Sequence, residues 1–144
     1  MIETHSAVFH AGMANVDFMR NIEDDAGRYI GEYGMFVHER NGLLNGNLED
    51  VIAFEVTLID KADEQPALTT LARTLLSEYA HDKLYEKFAG ERQSGGGPIT
   101  AQKDASFHLE GSQLLLECTI AAVSYSKEGI FRSLTVDMVL KRRM

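Results

Sequence analysis

The sequence predicts an α+β fold, in which one antiparallel sheet packs on a long central helix and a second helix lies near the N-terminus. Three segments near the C-terminus alternate apolar and polar residues and are joined by short turns, as in an antiparallel meander. A long segment with helical spacing of its apolar residues precedes them. With 144 residues, the chain has the length of a single domain covering residues 1–144.

Two earlier segments are predicted to add strands to this sheet. Residues 3–12, "ETHSAVFHAG", are rich in Thr, Val and Phe and end at a glycine, which is typical of a short strand. Two Asn-Gly pairs within residues 39–47 indicate turns, because Asn-Gly accepts the positive φ angles of a type I′ turn. Residues 50–60 then alternate as a half-buried strand does.

Residues 15–33 are predicted to form the N-terminal helix. Their apolar side chains fall in one arc of a helical wheel, roughly 120° wide, and Asn15 is a candidate N-cap. Gly27 and Gly31 lie inside this pattern and would each cost about 1 kcal/mol relative to Ala. A strand that begins near Arg28 is the alternative interpretation.

The long central helix is predicted to begin at Pro66 and to end at Ala89, with Gly90 as a left-handed cap. Its first half has one apolar face, which runs from Leu68 to Tyr79 and is expected to cover the sheet. This helix and the three strands 105–111, 113–125 and 129–141 complete the predicted architecture.

A second apolar stripe in this helix points away from the first. His81, Leu84, Tyr85 and Phe88 have the spacing of a single helical face, and that face lies nearly opposite the core face. Two arrangements reconcile the stripes. The helix bends near residues 80–82 and packs twice on its own sheet, or it runs straight and presents the second stripe to another chain. The second arrangement predicts an interface at these four residues.

The charge distribution adds a second candidate interface. The net charge is −8, with the acidic excess in residues 1–64, and no basic stripe is present for the phosphates of a nucleic acid. The one basic cluster is Lys141, Arg142 and Arg143. It is interpreted either as a solvated tail or as an arm that forms ion pairs with an acidic patch on a neighbouring copy.

No segment of the sequence predicts a membrane span or a signal peptide, so a cytoplasmic protein with no membrane partner is expected. The single cysteine, Cys118, cannot form an internal disulfide. Because it lies in an apolar strand pattern, we expect a buried, unreactive thiol.

No motif predicts a metal, a cofactor or catalytic residues. The dipeptide His81-Asp82 occurs in metal-dependent phosphohydrolases of the HD type, but the further ligands lack matching spacing. His5, His10 and His108 would suit Zn²⁺ or Fe²⁺ if their strands paired, yet nothing in the sequence brings them together.

Two further patterns have ordinary explanations. The glycine run at residues 95–97 lacks the Lys-Ser/Thr of a phosphate-binding loop, and it follows a helix rather than a strand. The acid pair Asp63 and Glu64 is typical of a helix start, although it lies at the mouth of the predicted central helix.

These observations favour a non-enzymatic structural or assembly protein, a subunit of a homo-oligomer or of another multi-chain assembly such as a virus or phage tail. Two alternatives stay open. The order of strand, long helix and antiparallel strands is loosely similar to that of hot-dog enzymes, which act on acyl thioesters and place an acid near the helix. A module that binds a small ligand or acts as an inhibitor is the other alternative.

Overall fold

A computed structural model describes residues 3–13, 16–39, 41–61, 70–90 and 96–143. Strands account for 56% of the described residues and helical turns for 12%, so the predicted α+β class is wrong and the protein is mostly β. The described residues form nine strands, one helix and one 3₁₀ turn: β1 (Glu3–His10), β2 (Arg20–Glu23), β3 (Tyr29–Val37), the 3₁₀ turn (Leu44–Gly46), β4 (Ala53–Asp60), β5 (Thr70–Leu76), α1 (Glu78–Ala89), β6 (Ile99–Thr100), β7 (Ser106–Glu110), β8 (Leu114–Tyr125) and β9 (Phe131–Arg142).

The strands form two sheets. The four-stranded sheet has the order β1-β9-β8-β7 and is antiparallel throughout. The five-stranded sheet has the order β2-β3-β4-β5-β6 and is antiparallel except for the short parallel pair of β5 and β6. The three C-terminal strands are therefore present as a meander, and β1 extends that sheet beyond β9.

The two sheets pack against each other and enclose one apolar core. Phe9 of β1 contacts the Phe54 ring of β4, with ring centroids 5.0 Å apart, and Phe54 contacts Phe131 of β9 at 5.3 Å. The three rings are fully buried among aliphatic residues from both layers. Such a pair of sheets buries one face of each sheet, which is the arrangement of a β-sandwich.

The predicted N-terminal helix over residues 15–33 is wrong. The described residues of this segment form β2 and the first part of β3, and Asn15, the candidate N-cap, lies outside the described residues. The turn between the two strands contains Gly27 at φ 80°, a conformation that glycine accepts without strain. The alternative of a strand that begins near Arg28 is close to the observed start of β3 at Tyr29.

Gly34 shows why this hairpin excludes a larger side chain. A Cβ atom at this position would lie 2.4 Å from the carbonyl oxygen of Phe18 and 2.6 Å from Cα of Met19. The chain that enters β2 therefore passes directly over the backbone of β3, at a position where only glycine fits.

The predicted long central helix is also wrong, since its described part is a strand followed by a shorter helix. Thr70–Leu76 forms β5, and α1 begins only at Glu78. The Ser77 side chain caps it by accepting a 3.1 Å hydrogen bond from the N–H of Ala80. The helix ends at Ala89 as predicted, but Gly90 has a right-handed conformation (φ −74°). Pro66, Asp63 and Glu64 lie outside the described residues.

The second Asn-Gly pair forms the predicted turn. Asn45 and Gly46 both have positive φ angles, 54° and 70°, and the N–H of Asn47 bonds to the carbonyl oxygen of Leu44. These are the angles that a type I′ turn requires at its two central residues. The turn lies in the connection between β3 and β4, beside α1.

Candidate functional site

The helical stripe that was predicted as an interface divides between two faces of α1. Phe88 is buried in a second, smaller apolar cluster with Ile52, Leu76 and Ala80, and Leu84 packs against the edge of this cluster. The ring of Phe88 also contacts the ring of His38 edge to face, with centroids 5.3 Å apart. Phe88 is thus covered by its own chain, and no interface with another chain is needed to bury it.

His81 and Tyr85 lie on the outer face of the same helix. Tyr85 is 42% exposed, and its ring contacts that of His81 with centroids 5.4 Å apart. His81 Nδ1 lies 3.2 Å from the carboxylate of Asp82, in an exposed pair. Of the four residues in the predicted stripe, only His81 and Tyr85 lie on the outer face of α1. An interface with another chain at α1 stays a prediction, and its apolar surface would be smaller than the sequence indicated.

The basic cluster is the end of β9 rather than a free tail. Lys141 lies 2.5 Å from the carboxylate of Glu117 on the neighbouring strand. Arg143 donates a 2.7 Å hydrogen bond to the carbonyl oxygen of Gly111 and lies 3.6 Å from Glu110. Two of the three cations therefore have partners inside their own chain, whereas Arg142 faces a cleft described below.

The residues considered as metal ligands lie far apart in the sheet order. His5 and His10 are on β1 and His108 is on β7, at opposite edges of the four-stranded sheet. Among the residues that the structure describes, no group of three or more His, Cys, Asp and Glu is placed to hold a metal ion. Gly96 and Gly97 lie near Arg73, whose Nε donates to the Gly97 carbonyl oxygen, while Gly95 lies outside the described residues.

Strand β1 forms a long edge of the four-stranded sheet. It pairs with β9 over eight consecutive residues with no bulge. The N–H of Ala11 bonds to Arg132, so the backbone groups of odd-numbered residues in β1 point toward β9. Those of Thr4, Ser6 and Val8 consequently point away from the sheet. Within the described part of the chain, nothing pairs with them.

The side chains of Thr4, Ser6 and Val8, on the outer face of this edge, are small and uncharged. Thr4, Ser6 and Val8 are exposed on the outer face of the sheet, and Val8 is 39% exposed. The Ser6 hydroxyl donates a 2.6 Å hydrogen bond to Asp137 on β9. Proteins usually protect a long edge with Pro, Lys, a bulge or an inward-pointing charge. The described part of β1 has no Pro, Lys or bulge, and its one inward acid is Glu3 at the first position.

A polar cluster lies on the inner side of the same edge, where β1 faces β2. Arg20 Nε lies 3.4 Å from the carboxylate of Glu3, and Arg20 Nη1 lies 3.5 Å from Nδ1 of His5. The ring of His5 meets the ring of Tyr33 edge to face, with centroids 6.2 Å apart. Tyr33 is fully buried.

The cluster perturbs the proton affinity of two of its members. Burial, and next the Arg20 guanidinium, lower the pKa of His5. Burial raises the pKa of Tyr33, and the Glu3 carboxylate adds to this effect. Both shifts favour the neutral form of the ring, and Arg20 and Glu3 form a partly exposed ion pair beside the two rings.

A cleft of about 290 Å³ lies at one end of the sandwich. There β3 and β8 begin and β4 and β9 end, so side chains from both sheets line it. The lining residues are Asp24, Tyr29, Ile30, Asp60, Lys61, Gln113, Leu114 and Arg142. Cations from both sides of the sandwich, Lys61 and Arg142, thus face a shared concave space.

Comparison with protein-family models, with curated proteins and with solved structures found no significant match. Among the described helices, none has the length and apolar composition to cross a membrane.

The sequence indicated part of these features. Residues 3–12 were predicted as a strand, but their place at a sheet edge depends on pairing with β9, which the sequence pattern does not specify. Arg142 was predicted as an interface residue together with Lys141 and Arg143, and the alternation of β9 separates it from them. Nothing in the sequence indicated that Lys61 lines a cleft, because a polar residue after a strand is ordinary.

Proposed function

We propose that the protein is a non-enzymatic structural subunit that associates with copies of itself through the outer edge of β1. The proposal includes a cytoplasmic location. Its main support is the edge itself, where the backbone donors and acceptors of Thr4, Ser6 and Val8 have no partner among the residues that the structure describes. In an exposed strand such groups are a template for pairing with another strand.

A second copy is the partner that this edge fits best. In an antiparallel pair centred on Ser6, the Ser6 residues of the two copies face each other and Thr4 faces Val8. No charged side chain faces another across this pair, which matters for a chain of net charge −8. The edge is therefore compatible with itself, whereas an acidic protein has few surfaces that avoid like-charge repulsion.

The chemistry of the described residues gives no comparable support to an enzyme. The hot-dog alternative depended on a long central helix inside a curved sheet, and this arrangement is absent from the described residues. His81-Asp82 is an exposed pair on the surface of α1. The ligand-binding alternative has separate support in the cleft, which is treated below.

Light scattering over a range of protein concentrations tests the proposal. We expect a dimer or larger oligomer that dissociates on dilution, because β-strand pairing at one edge is a small interface. The mass should stay the same between low and high salt, since no ion pair crosses the edge. A mass that falls steeply with salt would instead favour the basic arm at Lys141 and Arg143.

Two substitutions at the edge sharpen this measurement. Ser6→Pro removes an N–H that points away from β9, so the monomer keeps its ladder while the edge loses a donor. Val8→Lys places a charged side chain opposite Thr4 of the second copy, and an edge lysine of this kind opposes strand pairing. The matched control is Thr119→Lys, on the same outer face but in a central strand.

We expect both edge variants to be monomers and Thr119→Lys to associate as the unmodified chain does. A monomeric unmodified chain at all concentrations would refute the proposal. So would edge variants that retain its mass, provided that their circular dichroism shows the fold intact. Loss of association in Thr119→Lys as well would point to the outer sheet face instead of the edge.

A further inference from the structure

The cleft at the end of the sandwich contains two carboxylates that already accept hydrogen bonds from backbone N–H groups of their own chain. Asp60 is fully buried and accepts hydrogen bonds from the N–H groups of Gln113 and Leu114, at 2.9 and 3.0 Å. It binds the turn between β7 and β8 to the end of β4. Asp60 therefore acts as a structural group that holds this turn through its Oδ2 atom.

Asp24 is engaged in the same way on the other wall. Its carboxylate accepts hydrogen bonds from the N–H groups of Ala26 and Arg28, both at 2.9 Å, and pairs with the Arg28 guanidinium at 3.0 Å. The hydrogen bond from the Arg28 N–H is the main cause of the lowered pKa of Asp24. This acid holds the turn between β2 and β3.

The two cations of the cleft, Arg142 and Lys61, differ from the carboxylates because no ion pair with a described residue occupies them. Arg142 shares the inward side of its sheet with Leu114, its partner in the ladder, and no carboxylate of the described residues lies within ion-pairing distance. The ammonium of Lys61 lies 5.2 Å from the centroid of the Tyr29 ring. The Tyr29 hydroxyl is fixed by a 2.7 Å hydrogen bond to Glu32. Two cations, one from each sheet, thus face one concave space.

The rest of the lining is apolar or neutral. Leu114 is buried, Ile30 is partly buried, and Gln113 is exposed at the rim. The volume of about 290 Å³ is at the lower limit, roughly 300 Å³, of clefts that hold small ligands. A cleft with an apolar floor and cations at its walls suits a small molecule that has an apolar body and an anionic group.

We propose that this cleft binds a small organic carboxylate, whose anionic group pairs with Arg142 and Lys61 and whose apolar body rests on Ile30 and Leu114. A guanidinium binds a carboxylate through two parallel hydrogen bonds, which fixes the direction of the ligand. The proposal is independent of association at β1, because the outward edge of Thr4, Ser6 and Val8 contributes nothing to the cleft.

Titration with benzoate, acetate and inorganic phosphate, followed by amide chemical shifts in nitrogen–proton NMR spectra, tests the site. We expect benzoate to give saturable shifts at Ile30, Lys61, Gln113 and Leu114, and acetate to bind more weakly because it lacks the apolar ring. Phosphate binding as tightly as benzoate would overturn the assignment to an organic carboxylate, and so would the absence of saturable shifts with all three probes.

Charge-removing variants locate the contact. Arg142→Gln should weaken benzoate binding by at least about tenfold, the loss expected for one charge-assisted pair. Lys141→Gln is the matched control, since its side chain pairs with Glu117 on the other face of the sheet, and its affinity should stay within about twofold. Equal affinities of Arg142→Gln and the unmodified protein would contradict the proposal.

Discussion

The carboxylate of Asp60, at the end of β4, accepts a 3.0 Å hydrogen bond from the backbone N–H of Leu114, at the start of β8. The same oxygen atom accepts a 2.9 Å bond from the N–H of Gln113. Both Asp60 and Leu114 are buried, and they belong to different sheets. One side chain therefore joins the two layers at the end of the sandwich that carries the cleft.

Removal of this carboxylate should strongly destabilise the fold. Asp60→Ala leaves two N–H groups without their acceptor, at a cost of about 3 kcal/mol in the free energy of unfolding. Asp60→Asn should cost less, because the amide oxygen still accepts a hydrogen bond. Urea unfolding measures both. Asp137→Asn, at an exposed acid, is the control and should change stability by less than about 0.5 kcal/mol. A similar loss in Asp60→Ala and the control would contradict this role.

Burial of Phe88 predicts a large difference between two aromatic residues of α1. Phe88→Ala should lower the free energy of unfolding by about 3 kcal/mol, because it leaves a cavity among Ile52, Leu76 and Ala80. Tyr85→Ala should cost much less, since Tyr85 is 42% exposed. Thermal or urea unfolding compares them. If the two variants lost similar stability, the placement of α1 on the sandwich would be wrong.

The lowered pKa of His5 predicts a loss of stability in mild acid. Below pH 6.5, the ordinary value of a histidine, the unfolded chain binds a proton at His5 more readily than the folded chain does. The stability that depends on a neutral His5 is thus present above pH 6.5 and is lost as the pH falls below it. Glu3, Arg20 and Tyr33 are the titratable groups that face this ring.

Urea midpoints between pH 7.5 and pH 5.5 check this prediction. The midpoint should fall less in His5→Gln than in the unmodified protein. Arg20→Gln should also reduce the fall, because the guanidinium is one cause of the lowered pKa. Identical pH dependence in all three proteins would show that His5 does not contribute.

Cys118 is predicted to be unreactive in the folded protein. The side chain is 1% exposed, and burial raises the pKa of its thiol to about 12. At pH 8 the folded protein should therefore react with a disulfide reagent only as fast as it opens, while the urea-unfolded chain reacts at once. Equal rates in the two states would place the thiol at the surface. The sequence predicted this burial correctly from the apolar pattern around Cys118.

The C-terminal meander was predictable because β8 and β9 each keep one buried face. In β9, Leu134, Val136, Met138 and Leu140 are buried at alternate positions, and the residues between them are more exposed. Period-two patterns of this length have no helical interpretation. The inward position of Arg142 follows from the same alternation, two residues beyond Leu140.

The two helix predictions failed for different physical reasons. In residues 15–33, the apolar residues of β2, of the turn and of the first part of β3 fell by coincidence on one arc of a helical wheel. Gly27 was the residue that indicated the turn between the two strands. Strand β5 is covered on both faces at its end, where Thr74, Leu75 and Leu76 are all buried. Such a strand does not alternate, and its pattern resembles that of a buried helix.

The apparent change of helical face near residue 81 was a consequence of this error. A strand was placed on the same helical wheel as α1, so the two stripes could not align. In the structure α1 begins after Ser77 and buries Ala80, Leu84 and Phe88 to different degrees along one side. The apparent change of face thus marks a helix start, which the Ser77 cap could have indicated.

Hydrogen exchange at individual amides of β1 tests whether the outer edge of this strand pairs with a second copy. The N–H groups of Ala7 and Phe9 point toward β9, whereas those of Ser6 and Val8 point away from it. In a monomer, Ser6 and Val8 should exchange quickly at every concentration. We predict that their exchange slows as the protein concentration rises, while Ala7 and Phe9 stay slow throughout. Fast exchange of Ser6 and Val8 at the highest concentration, beside slow exchange of Ala7 and Phe9, would contradict the account.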